Sequence, residues 1–138
     1  MTGHPINVLA VDDDRTTRLL MQAMVTSLGH QCLLAEDGAH AWQLLQTSAG
    51  VEVVVTDWEM PRVDGLELCR RIRERYTDIY IYILLATSMA GPEQAMQGMQ
   101  AGADDYLIKP LRRHDLALRL TAAERVTSLH RPNCQRSR

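Results

Sequence analysis

Asp12-Asp13-Asp14, Asp57, Thr87-Ser88 and Lys109 are the points at which this chain gathers side chains able to hold a cation or a phosphoryl group. The triplet is costly in itself, because two like charges about 4 Å apart repel by roughly 1 kcal/mol in water and roughly 4 kcal/mol at a partly buried site. Either the three acids point outward as a solvated turn, or a bound cation or a phosphate-handling site draws them together. Each of the other residues has a plain reading of its own: Thr87 as a strand residue, Lys109 as a surface lysine, Tyr106 as a core aromatic. Chemistry requires that they meet.

The elements that would bring them together are legible as periodicity. Five short apolar runs, over residues 6–11, 31–35, 51–56, 79–86 and 105–108, alternate with stretches of helical period. That alternation predicts an α/β fold, a parallel sheet covered by helices on both faces. Leu20, Met24 and Leu28, with Met21 and Val25 beside them, form the apolar stripe of helix one, which Gly29 ends. Ala41, Leu44 and Leu45 mark helix two, which stops near Gly50, and Trp42 is expected in the core. Helix three places Leu68, Ile72 and Tyr76 on one face beside Leu66 and Cys69, with Arg70, Arg71, Arg73 and Arg75 expected on its solvated side. Helix four, over residues 92–101, is weakened by Gly98, since an internal glycine costs about 1 kcal/mol against alanine, and is expected to be mobile. Met89, Met96 and Met99 read as flexible packing, with an adaptable partner surface as the alternative. Helix five begins near Arg113 and carries Leu116, Leu120, Ala123 and Val126 as far as Leu129. It spans roughly 25 Å, so its last turns are expected to project. Residues 1–130 thus read as one domain and 131–138 as a polar, disordered tail.

Bulk composition excludes several classes of function. With 138 residues, 46% hydrophobic and 23% charged, and a formal net charge of -2, the chain has the balance of an ordinary globular domain. That balance offers no electrostatic case for nucleic acid. The N-terminal residues lack a basic stretch followed by a long apolar one, and the longest apolar run falls far short of the roughly 20 residues that span a bilayer. A soluble cytoplasmic protein with no membrane contact is expected. Cys32, Cys69 and Cys134 are widely separated, and His4, His30, His40, His114 and His130 show no ligand spacing, so neither a disulfide framework nor a zinc site is suggested.

In a parallel α/β sheet, functional groups collect at the carboxyl ends of the strands. Strand one ends in Asp12-Asp13-Asp14, strand three in Asp57, strand four in Thr87-Ser88 and strand five in Lys109-Pro110. Adjacent strands lie about 4.8 Å apart, so a carboxylate cluster facing one hydroxyl and one ammonium follows if strands one, three, four and five are neighbours in that order.

Those motifs, with Asp57 in DWEMPRVDG, Ala86 before Thr87 and Tyr106 before Lys109, resemble the receiver domain of two-component response regulators, including its chemotaxis members, over residues 6 to about 125. The resemblance implies a flavodoxin-like, doubly wound, five-stranded sheet of order 2-1-3-4-5. It implies Asp57 as phosphoacceptor, taking a phosphoryl group from a phosphohistidine. It further implies Mg²⁺ held by Asp12, Asp13, Asp57 and the backbone carbonyl of Glu59, which answers the question the acid triplet raises. Lys109 would pair with the phosphate, Thr87 would donate to a phosphoryl oxygen, and a cis bond would precede Pro110. Thr87 and Tyr106 would form the switch, acting on the face made by helix four, strand five and helix five. Glu59 and Met89 occupy positions that influence acyl phosphate hydrolysis in this family. Leu111, where many relatives carry Phe, is a departure that touches only local packing. Asp14 has no ligand role in this scheme and reads as a solvated turn residue. Trp58 reads as packing or surface.

The implied function is a phosphoacceptor signalling domain whose catalysis is confined to its own phosphorylation and dephosphorylation. Its expected partners are a sensor histidine kinase or phosphotransfer protein and a downstream protein or output domain. DGLELCRRIR and the long last helix loosely resemble receivers joined to diguanylate cyclases, and dimerisation through the helix four, strand five, helix five face is a further option. The chain reads as a single-domain regulator acting by contact or as a receiver from a longer protein. The competing reading is a haloacid-dehalogenase-like phosphatase, because Asp12-x-Asp14-x-Thr16 fits that nucleophile motif. It would make Asp12 the nucleophile and Asp14 the acid/base, would recruit Lys109 with Asp104-Asp105 as an optional addition, and leaves Asp57 unexplained. A third reading, a binding module that kept the fold and lost the chemistry, conflicts with the complete set of acids, Thr87 and Lys109.

Overall fold

The computed structural model describes residues 5–48, 50–60, 62–88 and 91–130. Among them the apolar runs become five strands: β1 (Asn7–Val11), β2 (Gln31–Ala35), β3 (Val53–Asp57), β4 (Tyr82–Thr87) and β5 (Asp105–Ile108). They pair in parallel in the order β2-β1-β3-β4-β5. Every residue of β3 and of β4 is buried. Two-sided cover is why these strands read as unbroken apolar runs.

The period of two along the strands sorts their side chains into two cores. Val8 and Ala10 join Val53, Val55, Leu84 and Leu107 on one face, beneath α1 (Arg15–Ser27) and α5 (Arg113–Leu129). Leu9 and Val11 join Val54, Ile83 and Leu85 on the other, beneath α2 (Gly38–Thr47), α3 (Gly65–Arg75) and α4 (Pro92–Ala101). The doubly wound arrangement is therefore as expected.

Local expectations fail where a tertiary partner outweighs the pattern. Residues 79–81 are not in the fourth strand, because the ladder to β3 begins at Tyr82 opposite Val53, and Ile79 stands exposed. The third strand likewise begins at Val53 and runs one residue further than expected, to Asp57. In α1 it is Met21 and Val25 that are buried; Leu20 is exposed, since the stripe turns by one position toward the sheet. Trp42 is only partly buried, edge-on to Tyr76.

Gly98, read as a weakness, is a contact. A Cβ there would lie 2.9 Å from Leu85 Cδ1 and 3.7 Å from Trp58 Cζ3, so the missing side chain is what lets α4 settle against β4 and Trp58. Met96 and Met99 are exposed on its outer side, while Met89 lies outside the described residues, as do His4, Cys134 and the tail over 131–138. The last turn of α5 is anchored and does not project as expected: Thr127 is buried and the His130 ring stacks on Tyr80 with centroids 4.8 Å apart, leaving Leu129 outward.

Arg73 departs most from its expected place. Its guanidinium is turned inward from the arginine-rich side of α3 and donates to the carbonyls of Gly102 (2.9 Å) and Ile81 (2.7 Å) and to Asp104 Oδ2 (2.8 Å), with the Tyr80 ring 4.7 Å beneath it. The Tyr80 hydroxyl donates to the other oxygen of Asp104. One side chain therefore ties α3 to the start of β4, the end of α4 and the approach to β5. Arg73→Met keeps the stem and removes these bonds, leaving the half-buried Asp104 without its cation. Loss of a hydrogen-bonded partner of a charge costs about 2–3 kcal/mol. Chemical denaturation of the variant is expected to show a loss of about that size, against little change for Arg70→Met.

Candidate phosphoacceptor site

The register of the sheet does the assembling. Asp57 pairs with Ala86, Val11 with Thr56 and Thr87 with Ile108, so Asp12, Asp57, Thr87 and Lys109 all fall at the same edge. Asp12 is fully buried, Asp13 exposed and Asp57 8% exposed. Among the described residues, one carboxylate oxygen from each of these three acids lies within 4.8 Å of the others, forming a group that could hold a metal ion. Hard oxygen donors packed this closely fit a small divalent cation.

Lys109 is the counter-charge. Its ammonium lies 2.9 Å from Asp57 Oδ1 and 3.2 Å from Asp12 Oδ2, while its backbone N–H donates to the Thr87 carbonyl at 2.8 Å. The Lys109–Pro110 bond is cis, as the resemblance implies. Burial pushes the Asp57 carboxyl above its ordinary value; the hydrogen bond from Lys109 opposes this and the charges of Asp12 and Asp13 add to it. Burial alone would lower the Lys109 ammonium, but the hydrogen bond and charge of Asp57, followed by Asp12, outweigh it and hold the group above 10.5. The Asp57 shift is thus first a matter of burial, and the Lys109 shift a matter of its two carboxylate partners.

Thr87 closes β4 and is buried at 4% exposure. Tyr106, opposite Leu85 on β5, is partly buried against the core on the α4 side. Glu59 sits exposed in the loop after β3, and the Gly65 N–H donates to the Trp58 carbonyl at 2.8 Å to close that loop. Trp58 itself is buried.

Asp14 and Arg18 support the site. Asp14, read as a solvated turn, is the N-cap of α1: its carboxylate accepts from both the N–H and the hydroxyl of Thr17 at 2.8 Å. Its own N–H donates to Asp12 Oδ1 at 2.8 Å, fixing that buried side chain. Arg18 donates to the Asp12 carbonyl at 2.8 Å. Asp37 and Asp64 cap α2 and α3 in the same way as Asp14. The signal was in the spacing: an aspartate followed three residues on by Thr17, His40 or Glu67, ahead of an apolar period, is a helix-start pattern.

Comparison with known proteins decides the family. The response regulator receiver domain model matches residues 8–121. This chain belongs to that family. Receiver domains of this kind are signalling modules of bacterial two-component systems. The chain is 40% identical over 124 residues to the response regulator MprA of a Mycobacterium species (strain KMS), covering 90% of this chain and 53% of that one. It is 37% identical over 108 residues to a chemotaxis protein CheY homolog of Campylobacter jejuni, covering 76% and 82%. The chain thus spans about half the length of the MprA relatives that it matches. Among solved structures, the chemotaxis protein CheY4 of Vibrio cholerae superposes with a TM-score of 0.78 at 28% identity, over 86% of this chain and 98% of that one. A two-component response regulator/GGDEF domain protein superposes with a TM-score of 0.83 at 28% identity, over 89% and 50%. No helix among the described residues is long and apolar enough to cross a membrane.

A raised carboxyl makes the ionised site a cost to the fold. With the folded-state value of Asp57 above 3.8, its contribution to stability is full below 3.8 and is lost as pH rises through the folded value. Asp57→Asn is therefore expected to melt higher than the native chain at pH 7 in metal-free buffer. The two melting curves should converge as pH falls below 3.8, and differential scanning fluorimetry across pH checks it.

Proposed function

We propose that this receiver takes a phosphoryl group from the phosphohistidine of a sensor histidine kinase or phosphotransfer protein onto Asp57, and thereby controls a partner or an output domain. What supports the reading is the mixed cluster itself: three carboxylate oxygens within 4.8 Å of one another, with one of the acids, Asp57, held 2.9 Å from a lysine. In the transfer, a carboxylate oxygen of Asp57 forms the new bond to phosphorus as the bond from phosphorus to the histidine nitrogen breaks, and the electron pair returns to the imidazole. The protein's contribution to such a transfer is positioning and charge. Lys109 keeps Asp57 aligned and meets the phosphoryl oxygens as a point charge. Thr87, buried one residue beyond the rung opposite Asp57, donates to one of them.

Asp12, Asp13, Asp57 and the carbonyl of Glu59 would hold Mg²⁺, which, when bound, neutralises charge on the phosphoryl oxygens. Asp12 is held ready for this by the Asp14 N–H and by Lys109. Phosphate on Asp57 adds acceptor oxygens that draw Thr87 and Lys109 inward, and Tyr106 then fills the space beside β4, altering the face of α4, β5 and α5. That face, with Met96 and Met99 exposed, is where a downstream protein, an output domain such as a diguanylate cyclase, or a second copy would bind. We assign residues 1–130 to the receiver and place it in the cytoplasm, acting only on its own phosphorylation state. The phosphatase reading is weaker because Asp14 is engaged as a helix cap and Asp12 is fully buried against Lys109.

Acetyl phosphate with Mg²⁺ is expected to label one residue, with Asp57→Asn unlabelled and folded; label retained in Asp57→Asn but lost in Asp12→Asn would reinstate the phosphatase. Thr87→Ala is expected to accept phosphate yet lose most of the phosphorylation-dependent change in hydrogen exchange across residues 91–101. A full exchange response in that variant would place the switch elsewhere.

A further inference from the structure

The segment after β3, described over residues 58–60 and 62–64, carries the Glu59 carbonyl that the reading above gives to the metal, and it is tied to the helix across from it. Among the described residues, Arg62 is the non-glycine residue with positive φ, at 69°. A side chain in this left-handed region is strained unless its surroundings compensate. Here the Arg62 guanidinium donates to Asp37 Oδ2 at 2.7 Å. Asp37 is fixed in advance, because its other oxygen accepts from the His40 N–H at 2.8 Å as the cap of α2. That backbone bond first, and Arg62 second, hold the Asp37 carboxyl below its usual range.

The next residue on each strand of this contact makes it tighter. A Cβ on Gly38 would sit 2.0 Å from the Val63 carbonyl oxygen, a separation that no side chain permits. Val63 is buried in the core under α2 and α3. The loop is therefore pinned at its middle by Asp37–Arg62 and Gly38–Val63, and at its base by the Gly65 N–H on the Trp58 carbonyl.

We infer that the Asp37–Arg62 ion pair, backed by the Gly38–Val63 approach, is a positioning device that presets the segment after β3, and with it the Glu59 carbonyl, for a divalent cation. Asp37 and Arg62 stand outside the group of Asp12, Asp13 and Asp57 and act on the cation only through the backbone. The inference rests on the proposed metal site. Because Arg62 is 73% exposed, salt screens the pair, and its effect is limited to about threefold to fivefold in an equilibrium.

The experiment is a titration of the full chain with Mg²⁺ alone, followed by amide chemical shifts in NMR at a temperature where every variant is folded. Arg62→Gly tolerates the positive φ and removes the tether; Asp37→Asn keeps an oxygen for the His40 N–H and removes the charge. Each is expected to weaken Mg²⁺ about threefold to fivefold, and the double variant no further than either. Arg62→Lys should keep most of the native affinity. The ratio of native to variant affinity should approach one at about 1 M salt, where the screening length is about 3 Å. Unchanged affinity in Arg62→Gly and Asp37→Asn, with or without a lower melting temperature, would overturn the positioning role while leaving the metal site standing. Absence of Mg²⁺ binding in the native chain would overturn both.

Discussion

One ammonium group in reach of two carboxylates is the constraint around which this fold is arranged. Lys109 meets Asp57 at 2.9 Å and Asp12 at 3.2 Å in a corner where Asp12 has no solvent exposure at all. Carboxylates within 4.8 Å of one another repel by roughly 3–4 kcal/mol in partly buried surroundings, a large share of the stability of a domain this size. The cation has to come from one strand and the acids from two others. Parallel strands in the order β1-β3-β4-β5 deliver all of them to one edge, and the buried register of β3 and β4 prevents any of them from slipping. A shift of one residue would turn Asp57 to the opposite face.

The same edge is where helices begin, and this explains a feature that charge counting misses. Asp14, Asp37 and Asp64 each cap a helix that starts just after the acidic edge, so not every aspartate there adds to the repulsion in the same way. A capping carboxylate faces backbone N–H groups and the positive end of a helix dipole, which stabilise it. Asp12, Asp13 and Asp57 are left as the acids that face one another. The acid-rich loops thus divide into carboxylates satisfied by the backbone and carboxylates that need a cation.

The sequence was most informative where one force dominated. The buried strands β3 and β4 announce themselves because two-sided cover favours apolar residues, although their starts lie two and three residues later than the apolar runs, whereas the bounds of the edge strands β2 and β5 and of α4 coincide with the sequence reading. The acids, Thr87 and Lys109 were readable because their types recur at strand ends. What could not be read was the balance between competing partners. Arg73 looks like one more solvated arginine among its neighbours, and only the fold reveals that Gly102, Ile81 and Asp104 converge on it. Gly98 reads as a flaw by helix propensity, yet a Cβ there would press on the buried Leu85 side chain, which would have to shift. Arg62 lies in an ordinary loop, and its pairing with Asp37 joins residues 25 positions apart. Such long-range contacts leave no periodic trace.

The fastening of α5 at both ends has a mechanical consequence. The helix begins at Arg113, soon after the cis bond that follows Lys109, and its far end is held where His130 stacks on Tyr80. Its 17 residues make a rod of about 25 Å. With Leu116, Leu120 and Ala123 buried along its length, a rod held in this way shifts as one piece and does not fray from its tip. A tilt of about 4° around His130 displaces the root by about 1.7 Å over that length. Over the same length a displacement at the tip is carried to the root, which begins four residues beyond Lys109.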